Sequence, residues 1–255
     1  MEIGEIKWFD EVESTNSRMA EERLHQDDFT TFAAKGQTAG RGQKGNGWHS
    51  EKGENLTFST LLRPEWLPVQ EQFAISQAAA LAVVDYLADK GVTAKIKWPN
   101  DIYVGERKIC GILIENSLEG EHLATSIVGI GLNLNQTVFP DSLPNPVSLK
   151  MLTGSHYSPE KELVTFLAFL RERYERTRSS RSRNGQDIGY MESMFRRGEW
   201  HNFERMEESD VPVEKRNGHV FRARILGTNP EGKLLLENKE GIVNPFAFKE
   251  IKYII

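Results

Sequence analysis

The chain has 255 residues, enough for one large domain or a large domain with a small companion, and ample for a buried core. Its net charge of -5, with acids and bases intermixed, excludes a broad basic field for nucleic acid. The single cysteine, Cys110, excludes an intrachain disulfide, and the longest apolar run, Ala78 to Val84, is too short to span a bilayer.

The N-terminal residues show neither a basic segment nor an apolar core, so no signal peptide is expected and a cytoplasmic location is. Ser14, Thr15 or Asn16 can cap a short helix running to about Leu24. Phe29 to Ala34 reads as a strand that feeds the stretch 36–50, in which five residues are glycine and Arg41 and Lys44 are cationic. Glycine loses the most backbone entropy on ordering, so this segment is expected to be a mobile loop that orders around a ligand. Its N–H groups, guanidinium and ammonium suit an anion, and Trp48 offers a flat face for a ring. A surface loop with scattered charge is the plain alternative. The loop is no Walker A sequence. Gly40, Gly42 and Gly45 match G-x-G-x-x-G, but Asn46-Gly47-Trp48 does not open the helix a dinucleotide site needs.

Leu56 to Leu62 alternates and is rich in β formers, which predicts a strand. Apolar residues at helical spacing predict a helix from about Val69 to Lys90, with Gly91 as C-cap. Short strands follow at about Thr93 to Trp98, Ile102 to Val104, Lys108 to Glu115 and Leu123 to Leu132. Gly105-Glu106 and Glu119-Gly120-Glu121 read as hairpin turns, giving an antiparallel meander. Strand alternation puts Lys108, Cys110 and Ile112 on one side and Ile109, Gly111 and Leu113 on the other. The segment from Asp141 to Pro146 is irregular. Ser158-Pro159-Glu160 starts a helix whose stripe is Leu163, Phe166, Leu167, Leu170 and Tyr174. The arginines from Arg171 to Arg183 read as a solvated helix end. From about Val211 short β runs predict a small barrel, with the domain boundary between Met206 and Asp210. The histidines lack metal-site spacing, and Cys110, among isoleucines, reads as packing.

Taken together, Ser14-Thr15-Asn16, the Gly40-Arg41-Gly42 loop, Lys97-Trp98-Pro99-Asn100-Asp101, the segment Lys108 to Glu115, and Gly129-Ile130-Gly131-Leu132-Asn133 resemble, in order and spacing, the biotin protein ligases. The resemblance implies an α+β fold: a class II aminoacyl-tRNA-synthetase-like catalytic domain (1–208) with a mixed, largely antiparallel sheet, and a C-terminal SH3-like barrel (209–255). It implies that ATP activates biotin to biotinyl-5′-AMP, with Mg²⁺, and that biotin passes to a lysine of a biotin carboxyl carrier protein. No enzyme nucleophile is required, in keeping with a sequence that offers no Ser/His/Asp or Cys/His set.

By the same resemblance Ser14, Thr15, Asn16, Gln37, Gly40, Arg41, Gly42, Gln43, Lys108 and Gly111 hold biotin. Arg41, Lys44, Asn46, Trp48, Asn100, Asp101, Lys108 and Asn133 hold ATP. Lys108, Arg41 and Asp101 are the catalytic candidates, with Asp101 also the candidate for Mg²⁺ and for the base of the transfer step. Ser14 can equally be a helix cap, Asn100-Asp101 an Asx turn, Lys108 a surface residue and Trp48 a core residue. Some members carry more arginines where this chain has Gln43, Lys44, Gly45 and Asn46, and Lys44 is expected to substitute in part. The motifs begin at Ser14, so no helix-turn-helix domain and no DNA binding are expected. Both a monomer and a homodimer fit the resemblance. The alternatives are a lipoate or octanoate ligase of the same fold and a non-catalytic biotin-binding module.

Overall fold

The computed structural model describes residues 3–179, 187–206, 218–248 and 250–254. Twelve strands and five α-helices occur among them. The main sheet has seven strands in the order β1-β2-β3-β7-β6-β5-β4. They are β1 (Ile6–Val12), β2 (Thr31–Gln37), β3 (Leu56–Leu62), β4 (Lys95–Lys97), β5 (Asp101–Val104), β6 (Arg107–Glu119) and β7 (His122–Leu132). Only the β1–β2 pair is parallel, so the sheet is mixed and largely antiparallel, as expected. The edge strand β1 is an element the sequence reading did not foresee; Lys7, Asp10 and Glu11 interrupt its apolar pattern.

Each face of the sheet has its own helical cover, and strand alternation sorts the side chains between them. On one face Phe32, Leu61 and Ile127 pack with Met19 of α1 (Thr15–Glu22). On the other, Ala33, Phe58, Leu62, Val128 and Ile130 face the main core under α2 (Phe73–Asp89) and α4 (Pro159–Ser179). The helix predicted from Val69 begins at Phe73, because Pro68 leads into a 3-10 turn at Val69–Glu71. Helix α2 is buried nearly all round, lying between the sheet, α4 and the short α5 (Ile188–Ser193). Short α3 (Leu149–Thr153) precedes α4, whose buried stripe is the predicted one.

A second sheet has five antiparallel strands in the order β11-β10-β9-β8-β12. These are β8 (Trp200–Arg205), β9 (Val220–Thr228), β10 (Leu234–Glu237), β11 (Val243–Phe246) and β12 (Ile251–Tyr253). The boundary expected at 208/209 falls outside the described residues, but β8 already belongs to this small sheet and precedes that boundary. Its buried Phe203, Ile225, Leu234, Leu236 and Ile251 join the main core, which fixes the small sheet against the large one.

Candidate active site

Helix α1 covers only part of its sheet face. Beyond it, glycines pave the floor: Gly111 of β6 pairs with Gly131 of β7, and Gly129 pairs with both Leu113 and Ser59. Without side chains there, the sheet leaves a cavity of about 350 Å³. Ser14, Thr15, Asn16, Gln37, Arg41, Gly42, Gln43, Asn46, Trp48, Asn100, Asp101, Lys108 and Gly111 all line it. Gly40 and Asn133 do not belong to the lining, and the side chain of Lys44 lies outside the described residues.

The glycine loop is folded back as a small hairpin. Gly42 N–H donates to Asn46 C=O (2.7 Å), Trp48 N–H donates to Gly40 C=O (2.8 Å), and Arg41 bridges Gly47. A Cβ at Gly40 would fall 2.4 Å from the Trp48 carbonyl oxygen, and Gly45 sits at φ +87° at the tip, so glycine is required at both. This hairpin lays the indole of Trp48 on the glycine floor: a Cβ at Gly131 would lie 2.2 Å from its ring and one at Gly111 3.1 Å. Trp48 is therefore a cavity wall. Its Nε1–H and the Oε1 of Gln43 are buried without a hydrogen-bond partner, a donor and an acceptor left over beside the cavity.

Ser14 caps α1, accepting from Ser17 N–H (3.5 Å), and also lines the cavity. Thr15 donates from both N and Oγ1 to Gln37 Oε1 (2.8 and 3.2 Å). Asn16 is packed onto Gly129, where a Cβ would fall 2.0 Å from its Oδ1. The Arg41 guanidinium is engaged with Glu115, Nη2 to Oε1 at 2.7 Å and Nη1 to Oε2 at 3.2 Å. Asn100 Nδ2 donates to Ile112 C=O (2.8 Å) while its own C=O accepts from Ile112 N–H (3.0 Å), which clips the Trp98–Asp101 turn to β6. Asn133 is 4% exposed and donates to Val147 C=O (3.0 Å), bracing the segment after β7.

Lys108 pairs with Asp101, Nζ to Oδ1 at 2.7 Å, and its ammonium lies 5.8 Å from the Trp48 ring centroid. Simple alternation puts Lys108 and Gly111 on opposite sides of β6; the structure corrects this. The register between β5 and β6 shifts at Ile102/Tyr103, so Ile109 is an extra residue in the ladder. The bulge turns Lys108 onto the glycine face, its Cε 3.5 Å from where a Gly111 Cβ would be. Ile109 and Cys110 are both fully buried, and burial pushes the Cys110 thiol up, confirming packing.

Comparisons with known proteins place the whole chain. The Biotin/lipoate A/B protein ligase family matches residues 8–133. The bifunctional ligase/repressor BirA of Bacillus spizizenii is 32% identical over 246 residues, covering 94% of this chain and 72% of that protein. The chain belongs to the biotin protein ligase family. A biotin–(acetyl-CoA-carboxylase) ligase of Paracoccus denitrificans is 36% identical over 138 residues, covering 51% of this chain and 56% of that protein. The biotin protein ligase of Aquifex aeolicus in complex with biotin and ATP superposes with a TM-score of 0.75 at 25% identity, covering 98% of both chains.

Within this biotin protein ligase fold, sequence reasoning missed several walls. Lys97 lines the cavity and donates to Tyr103 Oη (3.1 Å), with its ammonium 4.6 and 5.4 Å from the Tyr103 and Tyr253 ring centroids. Burial holds its pKa below the ordinary lysine value; Asp101 opposes that shift and Lys108 adds to it. Its place at the head of the Lys97–Asp101 motif was a usable signal. Phe248, Ile251, Lys252 and Tyr253 close the cavity from the small sheet, and Trp98 donates to Gly232 C=O (2.9 Å) across the same junction. Nothing local in the sequence ties Trp98 to Gly232, 134 positions away, or Lys97 to Tyr253.

Proposed function

We propose that the chain joins biotin to ATP, forming biotinyl-5′-AMP, and then transfers biotin to a lysine of a biotin carboxyl carrier protein domain. The observation that carries this is one cavity holding together the Ser14-Thr15-Asn16 cap, Gln37, the glycine hairpin and the Lys108–Asp101 pair. Thr15, Asn16 and Gln37 are neutral donors and acceptors suited to a ureido ring. In the first step a biotin carboxylate oxygen attacks the α-phosphorus and pyrophosphate leaves. Two anions must approach, so a cation has to sit where charge builds up. Lys108 fills that place, its ammonium held by Asp101 beside the Trp48 wall. In the second step an acceptor lysine amine attacks the anhydride carbonyl and AMP leaves; Asp101 is the carboxylate at hand to take its proton. The glycine floor lets the Trp48 indole and Asn16 lie flat against the sheet, and Trp48, so placed, shields the reactive anhydride from water.

Asp101 is a single carboxylate already paired with Lys108, and no cluster of three metal-ligating side chains occurs among the described residues. The Asp101 carboxylate would be the side chain to hold Mg²⁺, and the ion would neutralise phosphate charge. The division into a catalytic domain and a C-terminal barrel is part of the same proposal. No helix among the described residues is long and apolar enough to cross a membrane.

The experiment is ATP–pyrophosphate exchange by the purified chain with biotin, lipoate or no acid, with and without Mg²⁺. Biotin-dependent exchange is the expected result. Exchange with lipoate alone would move the chain to the lipoate branch, and tight biotin binding without exchange would make it a binding module.

A further inference from the structure

Glu115 ends the Lys108 to Glu115 segment with no role assigned to it, yet it joins two groups of residues that have one. It lies on β6 opposite Ile127, on the face shared by Gly111 and Leu113. Its carboxylate receives Arg41 in a two-pronged pair at 2.7 and 3.2 Å, and Oε2 also accepts from Asn16 Nδ2 at 2.9 Å. Asn16 Oδ1 in turn accepts from Ser59 Oγ (2.6 Å), Ser59 meets Thr15 Oγ1 (2.8 Å), and Thr15 donates to Gln37. One hydrogen-bonded chain thus runs from Gln37 and Thr15 through Ser59 and Asn16 to Glu115 and Arg41.

A guanidinium whose fork is filled by a carboxylate is neutralised and cannot present that fork to a phosphate. Arg41 is also the residue that bridges Gly47 across the glycine hairpin. We propose that Glu115 is a positioning residue: it anchors the hairpin to the sheet through Arg41 and orients Asn16 with the same carboxylate. Lys108 and Lys97 then remain among the cavity-lining cations for the ligand's anionic centre. This rests on the biotin-activating reading of the cavity.

The test compares the unaltered chain with Glu115→Gln, Arg41→Ala and the double variant. Biotin KM, kcat of exchange, the release rate of biotinyl-AMP, proteolytic cleavage within the hairpin and the thermal midpoint are measured for each. Each single variant is expected to raise biotin KM and adenylate release about tenfold and to speed hairpin cleavage, with kcat changed less than about threefold. The double variant is expected to be no worse than Arg41→Ala, because both substitutions remove one contact. Additive effects would overturn the proposal, as would a collapse of kcat in Arg41→Ala with Glu115→Gln silent. A lower thermal midpoint with unchanged KM, release and cleavage would reduce Glu115 to a structural residue and also overturn it. Lack of biotin-dependent exchange by the unaltered chain would refute the function, while the cleavage rates would still decide whether Glu115 anchors the hairpin.

Discussion

Gly131→Ala puts a single methyl group under the Trp48 ring. Its Cβ would lie 2.2 Å from Cε2, 2.5 Å from Nε1 and 2.6 Å from Cδ2. Carbon contacts are comfortable near ~3.5 to 4 Å, so the rigid indole has to lift off the floor by more than about 1 Å. Overpacking of this kind costs about 1–3 kcal/mol. The backbone itself does not object, since residue 131 lies within β7 and alanine there recovers about 0.5 kcal/mol over glycine. In a Trp48→Ala background the clash disappears, and Gly131→Ala should be neutral or slightly stabilising. The alanine gain is common to both backgrounds and cancels, so the expected coupling between the two sites is the overpacking cost itself, about 1–3 kcal/mol. Denaturant unfolding of the four proteins measures it. Tryptophan emission should shift to the red in Gly131→Ala alone, and biotin-dependent exchange should fall with it. Equal destabilisation by Gly131→Ala in both backgrounds, within about 0.5 kcal/mol, would refute the placement of Trp48 on the glycine floor.

Two more predictions concern the cations. Lys108→Gln should lower kcat of ATP–pyrophosphate exchange by about 10²–10³-fold, with biotin binding by calorimetry changed much less, since the ammonium acts where charge develops. A loss of biotin affinity as large as the loss of kcat would make Lys108 a binding residue instead. Lys97 is held below the ordinary lysine value of 10.5 by burial. An anionic ligand favours its charged form and raises that pKa, so binding takes up a proton at pH values above the lowered one. Anion affinity is full below the lowered value and falls as pH rises through it. Folding stability runs the opposite way, rising with pH between the lowered value and the ordinary 10.5 because the buried charge is a cost. Calorimetry in buffers of different ionisation enthalpy reads the uptake, and Lys97→Met should abolish it.

The sequence by itself determined the secondary elements wherever periodicity is strong: β3, most of α2, the β5–β6–β7 meander with its turns at Gly105 and Gly120, and the stripe of α4. It also marked most of the cavity lining, because those motifs carry residue types with a chemical reason to be together. The tertiary structure alone decided four matters. The edge strand β1 is fixed by parallel pairing with β2, which its mixed pattern does not announce. The bulge at Ile109 reverses the side on which Lys108 emerges, because an extra residue in a ladder is a property of two strands, not of one. Arg41 looks like a ligand cation in its glycine-rich stretch, and is committed to Glu115, 74 residues away, only once β6 lies beside the loop. Phe248, Ile251, Lys252 and Tyr253 reach the cavity because the hydrophobic core runs unbroken between the two sheets. Periodicity reports which face of a segment is buried. Which charge meets which depends on how the segments are brought together, and that information is held in no single stretch of the chain.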